Sequence, residues 1–467
     1  MRVNCGGKAG VRGPSAAGRY DVVVVGAGVS GVAAAVGAAL RGVKVLLVDR
    51  EYCPGGTAVY SLVSPMQTFH SPAGRVIGGV AQELVTELSR RGGSPGHVPD
   101  PIGFVQTVTP VDPEALKAVM LDVLERSGVD FSGGTRFEGV RFAREGVLGA
   151  VVLKGEGGEE WEVGADAFVD ATGNGDLTHA SGVSMETDPD CQPMTLIFRV
   201  GGVDAGAIIA FQKAHPEEFV LNPDPSVLDR GYVGVSGFFT KVAKARESGR
   251  LTVPRDRLLF FGGVRADEVV VNTTRVQGFS GLRTEDLSAA MREGMRQARE
   301  LFGFMKEEIP GFANAFILQA APRIGVRETR RLIGRYRLVE DDLTGAKTFP
   351  DVVAKGAYPM DIHSAATDGI ETLALGGGGH YDVPLRCLLN GAVNNLVTVG
   401  KCISVTHRGF SSTRVMPTCM AAGQAGGVAA SFLAGAPETD LEERASAVQD
   451  ALIAQGAILF DNQVGKY

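Results

Sequence analysis

No apolar run in the chain approaches the roughly 18 residues that a membrane-spanning helix requires, so a membrane protein of the helical kind is not expected. Positive charge is also in short supply. The formal net charge is −7, and no stretch forms a large basic field, which argues against nucleic acid as a partner. Cysteine is sparse and scattered: Cys5, Cys53, Cys191, Cys387, Cys402 and Cys419 include no CxxC pair. That spacing speaks against an iron–sulfur or zinc site, so no metal is expected, and it fits a reducing compartment. Residues 1–19 are rich in glycine and basic residues but lack an apolar segment, so they read as a disordered lead-in rather than a signal peptide. The expected location is the cytoplasm.

Glycine, by contrast, is abundant. Its 64 residues are about twice the usual share. They fall in tight loops between apolar runs, not in a repeat, which suits backbone that must approach a ligand closely. A chain of 467 residues has room for two or three domains, each with its own core.

The strongest local pattern starts at Tyr20. Asp21-Val22-Val23-Val24-Val25 reads as a parallel strand buried on both faces. It runs into Gly26-Ala27-Gly28-Val29-Ser30-Gly31 and then an alanine-rich helix ending near Leu40. A second apolar strand, residues 44–48, is closed by Asp49. This strand–GxGxxG–helix–strand unit, with an acid about 20 residues beyond the glycines, is a dinucleotide-binding fingerprint. Gly26 permits the tight turn, Gly28 lets the backbone approach the pyrophosphate, and Gly31 lets helix and strand pack. The helix N-terminus attracts the phosphates, and Asp49 is suited to the ribose hydroxyls.

Three further stretches separate FAD from NAD by resemblance. Pro54-Gly55-Gly56-Thr57 is similar to the glycine pair on the flavin side of the pyrophosphate in flavoproteins. Ala167-Phe168-Val169-Asp170-Ala171-Thr172-Gly173 resembles the strand and turn that return to the FAD domain, and Asn395-Leu396-Val397-Thr398-Val399-Gly400 resembles its last strand. Residues 192–195, 271–276, 325–330, 358–363 and 383–386 resemble the FAD-dependent oxidoreductase family, a distant relative of the fumarate reductase flavoproteins. The fumarate reductase catalytic motifs themselves are missing, so neither fumarate nor succinate is implied. The resemblance spans residue 20 to about residue 434.

The expected fold class is α/β: a Rossmann-like FAD-binding domain plus an inserted α+β cap or substrate domain. The first domain would be discontinuous, residues 20–185 and 379–467, with the insert at 186–378. Residues 112–127 read as an amphipathic helix presenting Leu116, Val119, Met120, Val123 and Leu124. Within the insert, residues 195–200 suggest an antiparallel strand, and residues 284–304 a helix whose apolar side is Leu287, Met291, Met295, Ala298 and Phe302. No second strand–GxGxxG–helix unit exists. Gly376 to Gly379 reads as a flexible loop, plain turn and flavin neighbour being equally open, so a separate NAD(P)H domain is not expected.

Residues that carry FAD on this reading are Gly26, Gly28, Gly31, Asp49, Gly55, Gly56, Thr172, Gly173, Gly400 and Gly423. The last belongs to a helix opened by Pro417, whose Gly423, Gly426 and Gly427 make a small packing face. Catalytic candidates are Arg327, Arg330, Asp361, His363 and His407. Arg327 and Arg330, three apart, would share a face on a helix and clamp an anion; the alternative is a solvated basic face. The family resemblance of Gly325-Val326-Arg327-Glu328-Thr329-Arg330 favours the clamp. Asp361 and His363, two apart on a strand, would pair as a proton relay, an ordinary polar strand end being the alternative. His407 with Arg408 would face the flavin ring or serve structure. His70, Tyr358, His380 and Arg386 are weaker candidates, and Cys402 reads as a small buried hydrophobe.

These features imply an enzyme that moves hydride between flavin N5 and a small organic, possibly anionic, molecule. Its partners would be that substrate and an electron donor or acceptor of unspecified kind. An NAD-dependent dehydrogenase, a flavin monooxygenase and an FAD-containing binding protein without turnover are the rival readings.

Overall fold

The computed structural model describes residues 18–363 and 370–465. Most of the lead-in (residues 1–17) and the side chain of His363 lie outside the described residues.

Five parallel strands form the heart of the first layer. Their order across the sheet is Asp130–Ser132, Val45–Val48, Tyr20–Val25, the second half of Glu160–Asp170, and Leu396–Thr398. Val24 stands opposite Leu47 on one side and Val169 on the other, and Val169 opposite Val397. Strands from distant parts of the chain meet around Tyr20–Val25 and Val45–Val48, which are apolar on both faces and stable only when both are covered; the edge strand Asp130–Ser132 is more polar and half-buried. The first half of Glu160–Asp170 bends out of this core and pairs antiparallel with Val147–Gly155, which pairs in turn with Thr135–Arg144.

Two helices cover the sheet beside the glycine loop, Val29–Ala39 and Met416–Ser431. They pack backbone to backbone. A Cβ on Gly423 would lie 2.3 Å from the Ser30 carbonyl oxygen, and one on Gly427 1.9 Å from that of Ala34. Helix Pro113–Arg126 follows the sequence expectation closely. Asp112 caps it by accepting from the N–H groups of Glu114 and Ala115, and all five expected apolar residues are buried.

The second layer is a five-stranded antiparallel sheet in the order Gly234–Gly237, Leu258–Gly262, Glu268–Val271, Phe198–Gly201, Phe316–Ala320. Helix Thr284–Glu308 packs on it, rotated from the expected stripe. Its buried face is Ala290, Gly294, Gln297, Ala298, Leu301, Phe304 and Met305, and Gly294 allows the closest approach: a Cβ there would sit 2.7 Å from Leu196 Cβ. The bulkier Leu287 and Met291 are only half-buried and turn toward the cleft between the layers.

Core membership redraws the expected insert. Its own apolar cluster runs from Met194 to Ile324, with Leu62 added from the first layer. Leu338, Leu343, Phe349, Val352 and Met360 instead join the first core. The reason is pairing: strand Val352–Gly356 is hydrogen-bonded to Tyr381–Pro384, and the Leu338 N–H donates to the Ser404 carbonyl at 3.2 Å. Among the described residues, no helix is long and apolar enough to cross a membrane.

Candidate active site

A cavity of about 820 Å³ opens between the layers at the glycine loop, within the range of cofactor pockets. The three glycines of the fingerprint have three different reasons to be glycine. Gly26 has φ +102°, and a Cβ there would lie 2.4 Å from the Ala171 carbonyl oxygen. A Cβ on Gly31 would fall 1.7 Å from the Gly26 oxygen. At Gly28 the nearest atom would be Gly56 Cα at 3.9 Å, so protein packing does not demand glycine there. Gly28 lines the cavity, where its lack of a side chain leaves the backbone open to close approach. Gly55 and Gly56, both at positive φ, lie against this loop: the Gly55 N–H donates to the Ala27 carbonyl at 2.8 Å. The first turn of helix Val29–Ala39 borders the same space, with neither an acidic side chain nor a side-chain cap at its free N–H groups.

Asp49 lies at the rim of this cavity and has a second role that sequence reading missed. Its two carboxylate oxygens accept from the N–H groups of Ala27 (2.5 Å) and Glu51 (2.8 Å), tying the glycine loop to the second strand. Burial raises its pKa against those two hydrogen bonds. Opposite, Thr172 and Gly173 form the turn after Asp170. The buried Asp170 carboxylate accepts from the Thr172 N–H at 3.0 Å, the Thr172 hydroxyl at 2.7 Å and the Thr178 N–H at 2.7 Å. Gly400, Lys401 and the helix start at Met416 complete the wall. A cradle of glycines, helix N–H groups and a carboxylate in this order fits the pyrophosphate and ribose of FAD.

A second cavity, of about 420 Å³, adjoins the first. Thr57, Val326, Lys401, Arg414 and Met416 line both. The Lys401 ammonium donates to the Val326 carbonyl at 2.8 Å, and burial lowers its pKa. Farther in are Arg255, Arg257, Arg327, Tyr358 and Asp361. The Tyr358 hydroxyl donates to Asp361 Oδ2 at 3.1 Å, and Arg414 Nη2 lies 3.6 Å from the same oxygen. Burial, and then Asp361, push the Tyr358 phenol far above its usual range.

The arginine clamp is only half as expected. Residues 326–329 are not helical; they join the bridge between Gly325 and Thr195 to strand Arg330–Leu332. Without a helical turn, Arg327 and Arg330 do not share a face. Arg327 lines the second cavity and donates to the Pro193 carbonyl, whereas Arg330 binds the Asn174 carbonyl and Asp176 and lies on neither cavity wall. Arg327 has a different companion, Arg255. Sequence reading missed it because Arg255 lies in no motif, and only the fold brings residues 255 and 327 to one cavity. Arg275 lies close enough that its charge lowers the pKa of both. Its backbone is held by Gln297, whose amide oxygen accepts from the Arg275 N–H at 2.8 Å and whose amide nitrogen donates to the Arg275 carbonyl at 3.0 Å.

Other candidates take structural places. His407 pairs with the fully buried Glu328 at 2.9 Å and lines neither cavity. Gly423 serves helix packing rather than the cavity wall. Asp361 lies in strand Met360–His363, opposite Thr372, while the His363 side chain is outside the described residues. His70 bonds Thr107, His380 bonds Asp461, and Arg386 bonds Asp351. Cys402 is buried with its pKa raised by burial. The Gly376 turn packs on Thr344, away from both cavities.

Fold and cleft together define a dinucleotide-binding flavoprotein. The chain matches the FAD-dependent oxidoreductase family over residues 21–452 and belongs to it; its cofactor is FAD and it is an enzyme. No protein of curated function matches the sequence. Similar solved structures include a geranylgeranyl bacteriochlorophyll reductase-like protein from Thermoplasma acidophilum, at 11% identity and TM-score 0.45, covering 96% of this chain and 89% of that one. A flavin-dependent brominase is similar at 14% identity and TM-score 0.48, covering 93% and 83%. A p-nitrophenol 4-monooxygenase from Pseudomonas putida is similar at 13% identity and TM-score 0.43, covering 94% and 84%.

Proposed function

We propose that the enzyme exchanges hydride between flavin N5 and a small organic substrate seated in the 420 Å³ cavity. The observation that carries this reading is the wall shared by the two cavities, which puts a ligand in one beside a cofactor in the other. FAD supplies the two-electron chemistry. In this reading Gly26, Gly28, Gly31, Gly55 and Gly56 take the pyrophosphate, Asp49 takes the ribose, and Thr172, Gly173 and Gly400 line the rest of the cofactor.

The chain's own chemistry lies at the shared wall. Removing hydride from a C–OH or C–NH centre also releases a proton, and Lys401 Nζ is the group suited to take it. A buried lysine with a lowered pKa accepts a proton more readily near neutral pH than a solvated one. Arg414, held by Asp361 and through it by Tyr358, orients the substrate from the other side. The apolar wall of Ile102, Phe104, Ile197 and Phe261 excludes water from the reacting carbon.

The test is to mix the purified holoenzyme anaerobically with candidate alcohols, amines and hydroxy acids and follow bleaching of the flavin's visible absorbance. Bleaching without oxygen, with one oxidised product per flavin, is the expected result. Flavin reduced only by NAD(P)H, with oxygen then inserted into the substrate, would replace this reading by a monooxygenase.

A further inference from the structure

The second cavity holds more positive charge than its surroundings neutralise. Five cationic side chains line it. Arg257 is matched by Asp256 through two hydrogen bonds, of 2.9 and 2.7 Å, and Arg414 by Asp361. Lys401 is committed to the Val326 carbonyl. Arg255 and Arg327 remain. Among the described residues neither has a carboxylate within ion-pair distance. Each side chain donates one hydrogen bond, Arg255 Nε to the Thr273 carbonyl at 3.3 Å and Arg327 Nη1 to that of Pro193. A guanidinium has five N–H donors, so most of their capacity is unspent on protein.

The other carboxylate on the wall, Asp100, does not answer them. It is fully buried, and its oxygens accept from the N–H groups of Ile102, Phe104 and Val105. Burial pushes its pKa up to about 6, but the carboxylate is turned to its own loop and makes no ion pair with either arginine. Two uncompensated cations in one confined space are costly unless a ligand brings negative charge. Burial and the neighbouring cations bring Arg327 down to about 9, and burial and Arg275 bring Arg255 down to about 10, outweighing the opposing pull of Asp361 on both, the direction expected of cations short of negative charge.

Resting on the reading of this cavity as the substrate site, we propose that its ligand is a small organic dianion, one negative charge for each of Arg255 and Arg327. A single carboxylate would leave one guanidinium uncompensated. The planar fork of each guanidinium matches a carboxylate or a phosphate monoester with two parallel hydrogen bonds. The apolar part of the cavity's lining, Ile102, Phe104, Ile197 and Phe261, suits a short carbon skeleton.

The test uses oxidised holoenzyme and needs no turnover. Binding is read from perturbation of the flavin spectrum and from thermal shift at constant ionic strength. Probes are dicarboxylates from malonate to adipate, monocarboxylates of equal chain length, and glycerol phosphate. A dicarboxylate or the phosphate monoester should bind on the order of 10- to 100-fold tighter than the matching monocarboxylate, the scale of one charged hydrogen-bonding group. Which of the two wins identifies the anionic group. Arg255→Met and Arg327→Met should each abolish that preference, and Arg265→Met, at an exposed position on neither cavity wall, should keep it. Arg255→Lys and Arg327→Lys retain charge and guard against misfolding; each should recover only part of the preference. Equal binding of mono- and dianions, or a preference untouched in well-folded Arg255→Met and Arg327→Met, overturns the dianion assignment. Either result leaves hydride transfer standing, because that is judged separately by anaerobic flavin bleaching.

Discussion

Lys401 Nζ donates a 2.8 Å hydrogen bond to the carbonyl of Val326, joining the end of the last parallel strand to the loop that carries Arg327. The bond spans the wall between the two cavities, and the residues on either side of it come from opposite layers of the fold.

If Lys401 takes the substrate proton, Lys401→Met should slow flavin reduction on the order of 10²- to 10⁴-fold while FAD content stays unchanged. The pH profile separates this from mere positioning. A base works deprotonated, so the wild-type rate should rise with pH through a lysine pKa set below the usual one by burial. That limb should vanish in Lys401→Met. A rate reduced equally at every pH, with the limb intact, would make Lys401 a positioning residue.

Asp49→Ala removes both the carboxylate suited to the ribose and the acceptor that holds the Ala27 and Glu51 N–H groups. A hydrogen bond to a charged group contributes about 1.5–3 kcal/mol, so FAD should bind the apoprotein about 10- to 100-fold more weakly. Fluorescence titration of apoprotein with FAD measures it, and an unchanged dissociation constant removes Asp49 from the cofactor site.

Helix Met416–Ser431 begins at both cavities, with Met416 on each wall. The positive end of its dipole favours a negative charge nearby, such as anionic reduced flavin. Met416→Glu adds a fixed negative charge there and should lower the flavin reduction potential. Anaerobic dye titration reads the shift; a folded, FAD-loaded variant with an unaltered potential would separate this helix from the flavin.

His407 offers a stability test distinct from catalysis. Its pKa is raised, chiefly by the hydrogen bond to Glu328. The protonated form is therefore the stabilising one. Its contribution is fully present below the unfolded value of about 6.5 and is lost as pH rises through the higher folded value. The melting-temperature gap between wild type and His407→Asn should be largest near pH 6 and shrink by pH 9. A gap that grows with pH would show the pair is held by a neutral imidazole.

The nucleotide half of the protein was legible in the sequence because its determinants are local. A buried strand, a glycine turn, a helix and a closing acid are all read within the 30 residues that form them, and Gly26, Gly28 and Gly31 occupy the places their spacing implied. Helix Pro113–Arg126 was legible for the same reason: its cap and apolar stripe lie in one window. What the sequence could not decide was which distant charges meet. Arg327 and Arg330 look like a pair at helical spacing, but the chain from the Gly325–Thr195 bridge to strand Arg330–Leu332 is not helical, so they do not share a face. Arg255 carries no motif, yet the antiparallel sheet brings its loop to the cavity of Arg327. Local pattern sets the elements because backbone hydrogen bonding and side-chain periodicity act over a few residues. The second cavity is made by layers that touch only once the chain has folded, so its charge balance belongs to the tertiary structure alone.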